Sequence, residues 1–173
     1  MNELSGKKII IYVENFYEDK EFWYPHIRMK EAGAEVVVAG PEAGKTYKGK
    51  HGLPAEADVS FDSLSGGEAD GLIIPGGYCP DHIRRNQAAL DFVKSMDEAG
   101  KLIAFICHAG WVPASAGVLK GRKITSFFAI KDDLVNAGAD WVDQEVVVDK
   151  NMITSRNPND LPAFCIEILK YFS

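Results

Sequence analysis

Residues 101–110 read KLIAFICHAG, and this stretch decides how the chain is understood. Residues 102–106 form a short, unbroken apolar run without polar alternation, the pattern of a strand buried on both faces. The run stops at Cys107-His108, and two very small residues, Ala109 and Gly110, follow. Strands covered on both faces belong to parallel sheets, whose sites form at the carboxyl ends of the strands. A nucleophile on a sharp strand-to-helix turn needs small neighbours, because that turn is strained and crowded. A helix expected roughly over 111–116 would point its N-terminus at the turn and favour a thiolate there. Cys107 is therefore expected to be the only strongly acidic thiol. An inert buried cysteine and a satisfied core histidine are the competing readings of Cys107 and His108.

The rest of the chain repeats the strand–helix alternation. "KKIIIYV" (7–13), "AEVVVAG" (34–40) and "DGLIIPGG" (70–77) read as further buried strands, the last cut off by Pro75 and the pair Gly76-Gly77. "DKEFWYPHIRMKEAG" (19–33) has helical spacing and a glycine stop, with Pro25 predicting a kink or a late start. "NQAALDFVKSMDEAG" (86–100) is the clearest helix, with Leu90, Val93 and Met96 on one face and Gly100 at its end. "VDKN" (148–151) between two β-rich runs predicts a hairpin at one edge of the sheet. The amphipathic C-terminal segment from Asp160 closes the domain. Right-handed crossovers then give one α/β domain over residues 1–173, mostly parallel, with helices on both faces.

Composition narrows the function. The chain has 173 residues, 46% hydrophobic and 25% charged, enough for one core. A net charge of −6 argues against nucleic-acid binding, which needs basic contacts to phosphates. No apolar run nears the ~20 residues that cross a bilayer, and the N-terminus has no signal-peptide apolar region, so no membrane partner and a cytoplasmic chain are expected. Three cysteines, Cys79, Cys107 and Cys165, include no CxxC pair, so neither disulfides, a metal site nor a cofactor is indicated. Gly77 can present its N–H toward an oxyanion. His51 is an ordinary turn residue at the edge of any site.

"IIPGGYCPDHIR", "AFICHAG", "SAGVLKGRKITS", "KDDLVNAGADWVDQEVVVDKNMITSRNPNDLPAF" and "FYEDKEFWYP" together resemble the ThiJ/PfpI family, in particular its PfpI-type intracellular proteases. The resemblance spans roughly residues 8–172. It implies a flavodoxin-like three-layer α/β/α sandwich of the class I glutamine amidotransferase superfamily, and dimers or higher homo-oligomers. It makes Cys107 the nucleophile and His108 its histidine. Glu18 is the implied carboxylic acid that hydrogen-bonds the cysteine sulfur. Gly77, with Gly76, Ala109 and the Cys107 or His108 N–H, resembles the oxyanion and substrate pocket. Asp81 matches an acid that orients the histidine of a neighbouring subunit, where the family usually carries Glu. The usual Gly-Pro after Cys-His is Ala109-Gly110 here, and Cys79 has no fixed counterpart.

The resemblance implies an enzyme that attacks carbonyls with Cys107. The substrates are peptides or small reactive carbonyls and their adducts, as in peptidases, glyoxalase III and deglycases. The small-carbonyl reading is preferred, because no specificity pocket for a peptide is readable. A redox sensor or chaperone that oxidises the same cysteine is the alternative. A glutamine amidotransferase is disfavoured, because no histidine follows residue 108.

Overall fold

A computed structural model describes residues 3–173. The Ile-rich run forms β1 (Lys8–Tyr12), followed by α1 (Asp19–Glu31) and β2 (Glu35–Gly40). A small antiparallel hairpin, β3 (Thr46–Lys48) and β4 (Pro54–Glu56), precedes β5 (Val59–Ser60). Next come β6 (Gly71–Ile74), α2 (Cys79–Ile83), α3 (Gln87–Glu98), β7 (Leu102–Ile106) and α4 (Trp111–Ser115). The chain ends with β8 (Lys123–Ile124), α5 (Lys131–Asn136), β9 (Asp140–Trp141), β10 (Val146–Asp149), β11 (Met152–Ser155) and α6 (Leu161–Tyr171).

Seven strands make the central sheet in the order β10-β11-β7-β6-β1-β2-β5, parallel throughout except for the edge strand β10. The 148–151 turn is the expected edge hairpin, with Lys150 at φ +55°. All residues of β6 and β7 are buried, as their unbroken apolar runs require. α1 packs with α6, while α3 packs with α4 and β7, giving the three-layer sandwich. The chain steps outward from β1 to β2 and β5, then returns to β6 on the other side of β1. The crevice therefore opens where the loops after β1, β6 and β7 meet.

At two places the structure refines the expectations. α1 starts at Asp19 and continues through Pro25, without a late start. Two hydrogen bonds into the Glu18 side chain cap its first turn, and buried Phe22 and Met29 hold its inner face, which offsets the one N–H that proline lacks. At the other site, no α-helix follows Cys107 at once. Residues 107–110 form a 3₁₀ turn, and α4 is only five residues long. α4 starts at Trp111, where the helix was expected, but the 3₁₀ turn stands between it and Cys107, so the terminus of α4 does not sit directly at the sulfur.

The loops after β1 and β6 are tied together by a bridge between Tyr17 and Gly77. Glu18 N–H donates to Gly76 O at 2.9 Å, and Tyr78 N–H to Phe16 O at 2.8 Å. Gly77 has φ +83°, and a Cβ there would lie 2.5 Å from Glu18 N and press on the Phe16 carbonyl. Gly44 has a similar φ of +76° with nothing within 4 Å of its Cβ position. Gly44→Ala should therefore carry only the backbone cost, about 1 kcal/mol, whereas Gly77→Ala should lose at least twice that. Urea unfolding midpoints of the two variants measure the difference, and equal losses would mean that the loop crossing yields freely.

Candidate active site

Cys107 follows β7 at φ +63°, straight after extended Ile106, so the thiol sits on a strained elbow. The backbone N–H groups of Gly77 and His108 are near enough to Sγ to favour negative charge there. The His108 Nδ1 lies 3.2 Å from Sγ. Cys107 is 8% exposed, against 0% for Cys79 and 1% for Cys165, so it alone of the three reaches a cleft. Cys79 Sγ faces the Pro75 and Gly76 carbonyls at 3.6 and 3.4 Å, beneath the glycine pair.

The carboxyl beside the sulfur is Glu21, not Glu18. Glu18 caps α1: its Oε2 accepts from Lys20 N–H at 2.8 Å and Glu21 N–H at 3.1 Å, and its Oε1 is 3.7 Å from His51 Nε2. Glu18 remains on the cleft wall, but its Oε2 is used by the helix end and its Oε1 faces His51. Glu21, fully buried one turn on, accepts from Gly76 N–H at 2.8 Å and, across Gly76, is the carboxyl neighbour of the Cys107 thiol. A Cβ on Gly76 would fall 2.5 Å from Glu21 Oε2 and 2.6 Å from Cys107 Cβ. The sequence carried a signal for this. Glu21, Pro25 and Met29 recur every four residues and are all buried, so Glu21 continues the inward stripe.

Burial, then the Glu18 charge, pushes the Glu21 carboxyl up to about 8, so it holds a proton at neutral pH. Burial, then the Glu21 carboxylate, pushes the Cys107 thiol up to about 12, against the pull of the Gly77 and His108 N–H groups. The expectation of a uniquely acidic thiol is overturned. All three cysteines are raised, each by burial first. The site holds at most one negative charge, and protonated Glu21 is a donor toward sulfur. His108 is lowered, by burial and then by Lys50, and is a neutral imidazole able to take the thiol proton.

His108 is fixed by aromatic neighbours. Phe127 stacks on it at 5.0 Å and 26°, and Trp111 meets it edge-on at 5.3 Å. The cleft beside the thiol measures about 170 Å³, with Lys50, Tyr78, Asn157 and Pro158 completing its wall. Sequence reasoning missed Lys50, Phe127 and Asn157, which arrive from loops distant in the chain. Of the other expected substrate contacts, Gly76 has its N–H committed to Glu21, and Ala109 is fully buried outside the cleft lining. Gly77 keeps its N–H at the sulfur. Asp81 lies in a neighbouring hollow with Phe16, Tyr78, His82 and Trp111, paired to Arg85, and is not brought to His108 within the chain. Among the described residues no group of three or more His, Cys, Asp or Glu is placed to hold a metal ion.

The raised Glu21 carboxyl has a stability consequence of definite sign. Between the unfolded value of 4.5 and about 8 the native state keeps a proton that the unfolded chain releases, so stability falls as pH rises through that window. Glu21→Gln can still accept from Gly76 N–H and donate to sulfur without ionising. The variant should be more stable than the wild type at pH 8 by a few kcal/mol, because the wild type loses about 1.4 kcal/mol for each pH step of one across the window. The gap should close toward pH 4.5. Urea unfolding across pH reads this; a gap that does not vary with pH would mean Glu21 is not held protonated.

The chain has relatives among known proteins. The chain is 45% identical to Deglycase PfpI of Pyrococcus furiosus, over 94% of this chain and 98% of the relative. It is 41% identical to the putative cysteine protease YraA of Bacillus subtilis, over 95% of this chain and 97% of the relative. A crystal structure of a two-domain protein from Anabaena variabilis, with DJ-1/ThiJ/PfpI-like and ferritin-like domains, superposes with a TM-score of 0.94 at 44% identity. That match covers 95% of this chain, which spans about half (48%) of the two-domain protein. Residues 7–171 match the DJ-1/PfpI family as a whole, and the chain belongs to that family.

Proposed function

We propose that the chain hydrates small 2-oxoaldehydes, or releases them as hydroxy acids from their adducts with amines and thiols, through Cys107. The observation that carries this reading is the pairing of a strained thiol, 3.2 Å from a neutral imidazole, with a cleft of about 170 Å³. At ~30 Å³ per water-sized unit, that space takes five or six heavy atoms. Pockets for larger ligands start near ~300 Å³, so this cleft suits a small carbonyl better than the side chain of a peptide. Of the names the relatives carry, deglycase and putative cysteine protease, the cleft size favours the first.

The chemistry closes without an outside oxidant. Cys107 Sγ bonds to the aldehyde carbon as His108 Nδ1 takes the thiol proton and passes it to the new oxygen, giving a hemithioacetal. The Gly77 and His108 N–H groups are the donors nearest that oxygen as charge develops. His108, neutral again, removes the proton from the former aldehyde carbon. The electron pair moves to the neighbouring carbon, which is protonated and reduced, while the first carbon becomes a thioester. Water then breaks the C–S bond and leaves a 2-hydroxy acid and the thiol. Methylglyoxal should yield lactate, and denatured casein should stay intact. Cys107→Ser should lose at least about 1,000-fold in kcat with its circular dichroism spectrum unchanged. Casein cleavage without lactate formation would overturn the reading.

Assembly is part of the same proposal. Asp81 is half-buried beside aromatic Phe16 and Tyr78, in a hollow shared with Trp111, the indole that meets His108 edge-on. In a two-fold dimer each Asp81 would orient the partner's imidazole, and both sites would be completed together. Asp is one methylene shorter than the family's usual Glu, so Asp81→Glu should keep or raise activity. Asp81→Asn should lower kcat about tenfold or more with little change in KM. Mixing Cys107→Ser with Asp81→Ala subunits should restore activity, and a fully active monomer would exclude the shared site.

A further inference from the structure

A buried carboxylate is spent on holding a short surface loop. Asp19, the first residue of α1, is 4% exposed. Its Oδ2 accepts from His51 N–H at 2.9 Å and its Oδ1 from Leu53 N–H at 3.0 Å. Gly49 packs so closely that a Cβ there would sit 2.5 Å from the Asp19 carboxylate. Gly49 N–H donates to Leu53 O, and Gly52 N–H to Gly49 O, both at 2.9 Å. Lys50 N–H donates to the carbonyl of Tyr17, the residue bridged to Gly77, at 2.9 Å. The 49–53 loop is thus fastened to the segment that carries Glu18 and Glu21. What the staple presents to the cleft is Lys50.

Among the described residues, Lys50 is the one lysine or arginine that lines the thiol cleft, and its ammonium has no ion-pair partner. Its charge is felt at both Glu21 and His108. The backbone is fixed while the four-carbon stem stays mobile, so the ammonium can follow an oxygen that moves during a reaction.

We infer that Lys50 forms an anion subsite within the cleft, which selects substrates bearing an oxygen next to the attacked carbonyl and then holds the carboxylate of the hydroxy-acid product. The substrate part of this inference rests on the small-carbonyl reading above. In a 2-oxoaldehyde the ketone oxygen is one carbon from the carbon that sulfur attacks. An ammonium paired to it stabilises the negative charge that gathers there when the C–H proton leaves. After hydrolysis the carboxylate meets the same cation. A simple aldehyde has no second oxygen and gains nothing from it.

The test separates the subsite from the reaction. Iodoacetate and iodoacetamide alkylate the same thiol, but only the first is an anion. For the wild type, the ratio of their rate constants at Cys107 should exceed that at a free cysteine in a model peptide. Lys50→Gln should lower the ratio about tenfold and Lys50→Arg should keep it, while the iodoacetamide rate stays within about twofold, since a positioned charge acts on charged partners. With methylglyoxal, Lys50→Gln should raise KM and weaken inhibition by lactate by a similar factor. An unchanged alkylation ratio in Lys50→Gln overturns the subsite whatever the enzyme turns over. A ratio that falls in a protein with no methylglyoxal turnover overturns the small-carbonyl reading and the substrate selection, and leaves the anion subsite standing.

Discussion

The Gly76-Gly77 backbone has no room on either side, and the site depends on that. On one flank of Gly76 is the Glu21 carboxyl, on the other the Cys107 side chain. Gly77 lies against the Phe16–Glu18 backbone, bridged to Tyr17. Three loops from the ends of β1, β6 and β7 are therefore packed through a strip of backbone without side chains. Any Cβ in that strip would part the thiol from its carboxyl or lift the loop that carries Glu18. The parallel order of the strands brings the loops to one end of the sheet, and the two glycines let them touch.

Closeness on this scale governs the electrostatics. A thiol and a carboxyl share a dry space that admits one negative charge, so Glu21 keeps its proton and Cys107 resists losing its own. The fold does not lower the thiol in advance through a helix terminus. It places a neutral acceptor, His108 Nδ1, 3.2 Å from the sulfur, with the Gly77 and His108 N–H groups and the protonated Glu21 carboxyl close by. The thiolate is then made at the moment of attack and stabilised where it forms. The arrangement is unfavourable for folding above pH 4.5, which is the expected direction for a group kept in an uncomfortable state for function.

The layout of the fold was legible because β6 and β7 are unbroken apolar runs and the 86–100 helix repeats its apolar face at regular spacing. Cys107-His108 was legible because a thiol and an imidazole at a strand end stand out from an apolar run. Glu18 misleads for a physical reason. An acid just before a helix and an acid three residues later differ by most of a turn, and only the helix start distinguishes a cap from an inward side chain. Pro25 obscures that start. Lys50 and Asn157 are invisible for another reason: nothing in "KHG" or "NPND" reveals that a turn is pinned over a cleft built by strands far away. Asp19, which does the pinning, looks in the sequence like one surface acid among several.

The small residues after His108 show what crowding means at this elbow. In the sequence they suggest room for a strained turn and for substrate. Ala109 is fully buried and faces away from the cleft, and a Cβ on Gly110 would lie 2.8 Å from Leu134 Cδ1. Leu134 belongs to α5, whose Asp133 also accepts from Trp111 Nε1 at 2.8 Å. The turn is thus pressed from behind by a helix well downstream in the chain, and the same helix anchors the indole that meets His108 edge-on. Small side chains there let α5 seat closely behind the elbow, and this pressure helps hold Cys107 at its positive φ. The absence of proline at residue 110 fits the same picture, because the elbow's shape is imposed by packing from α5 and by the Phe127 N–H bond to the Cys107 carbonyl at 3.2 Å, rather than by a rigid ring in the chain itself.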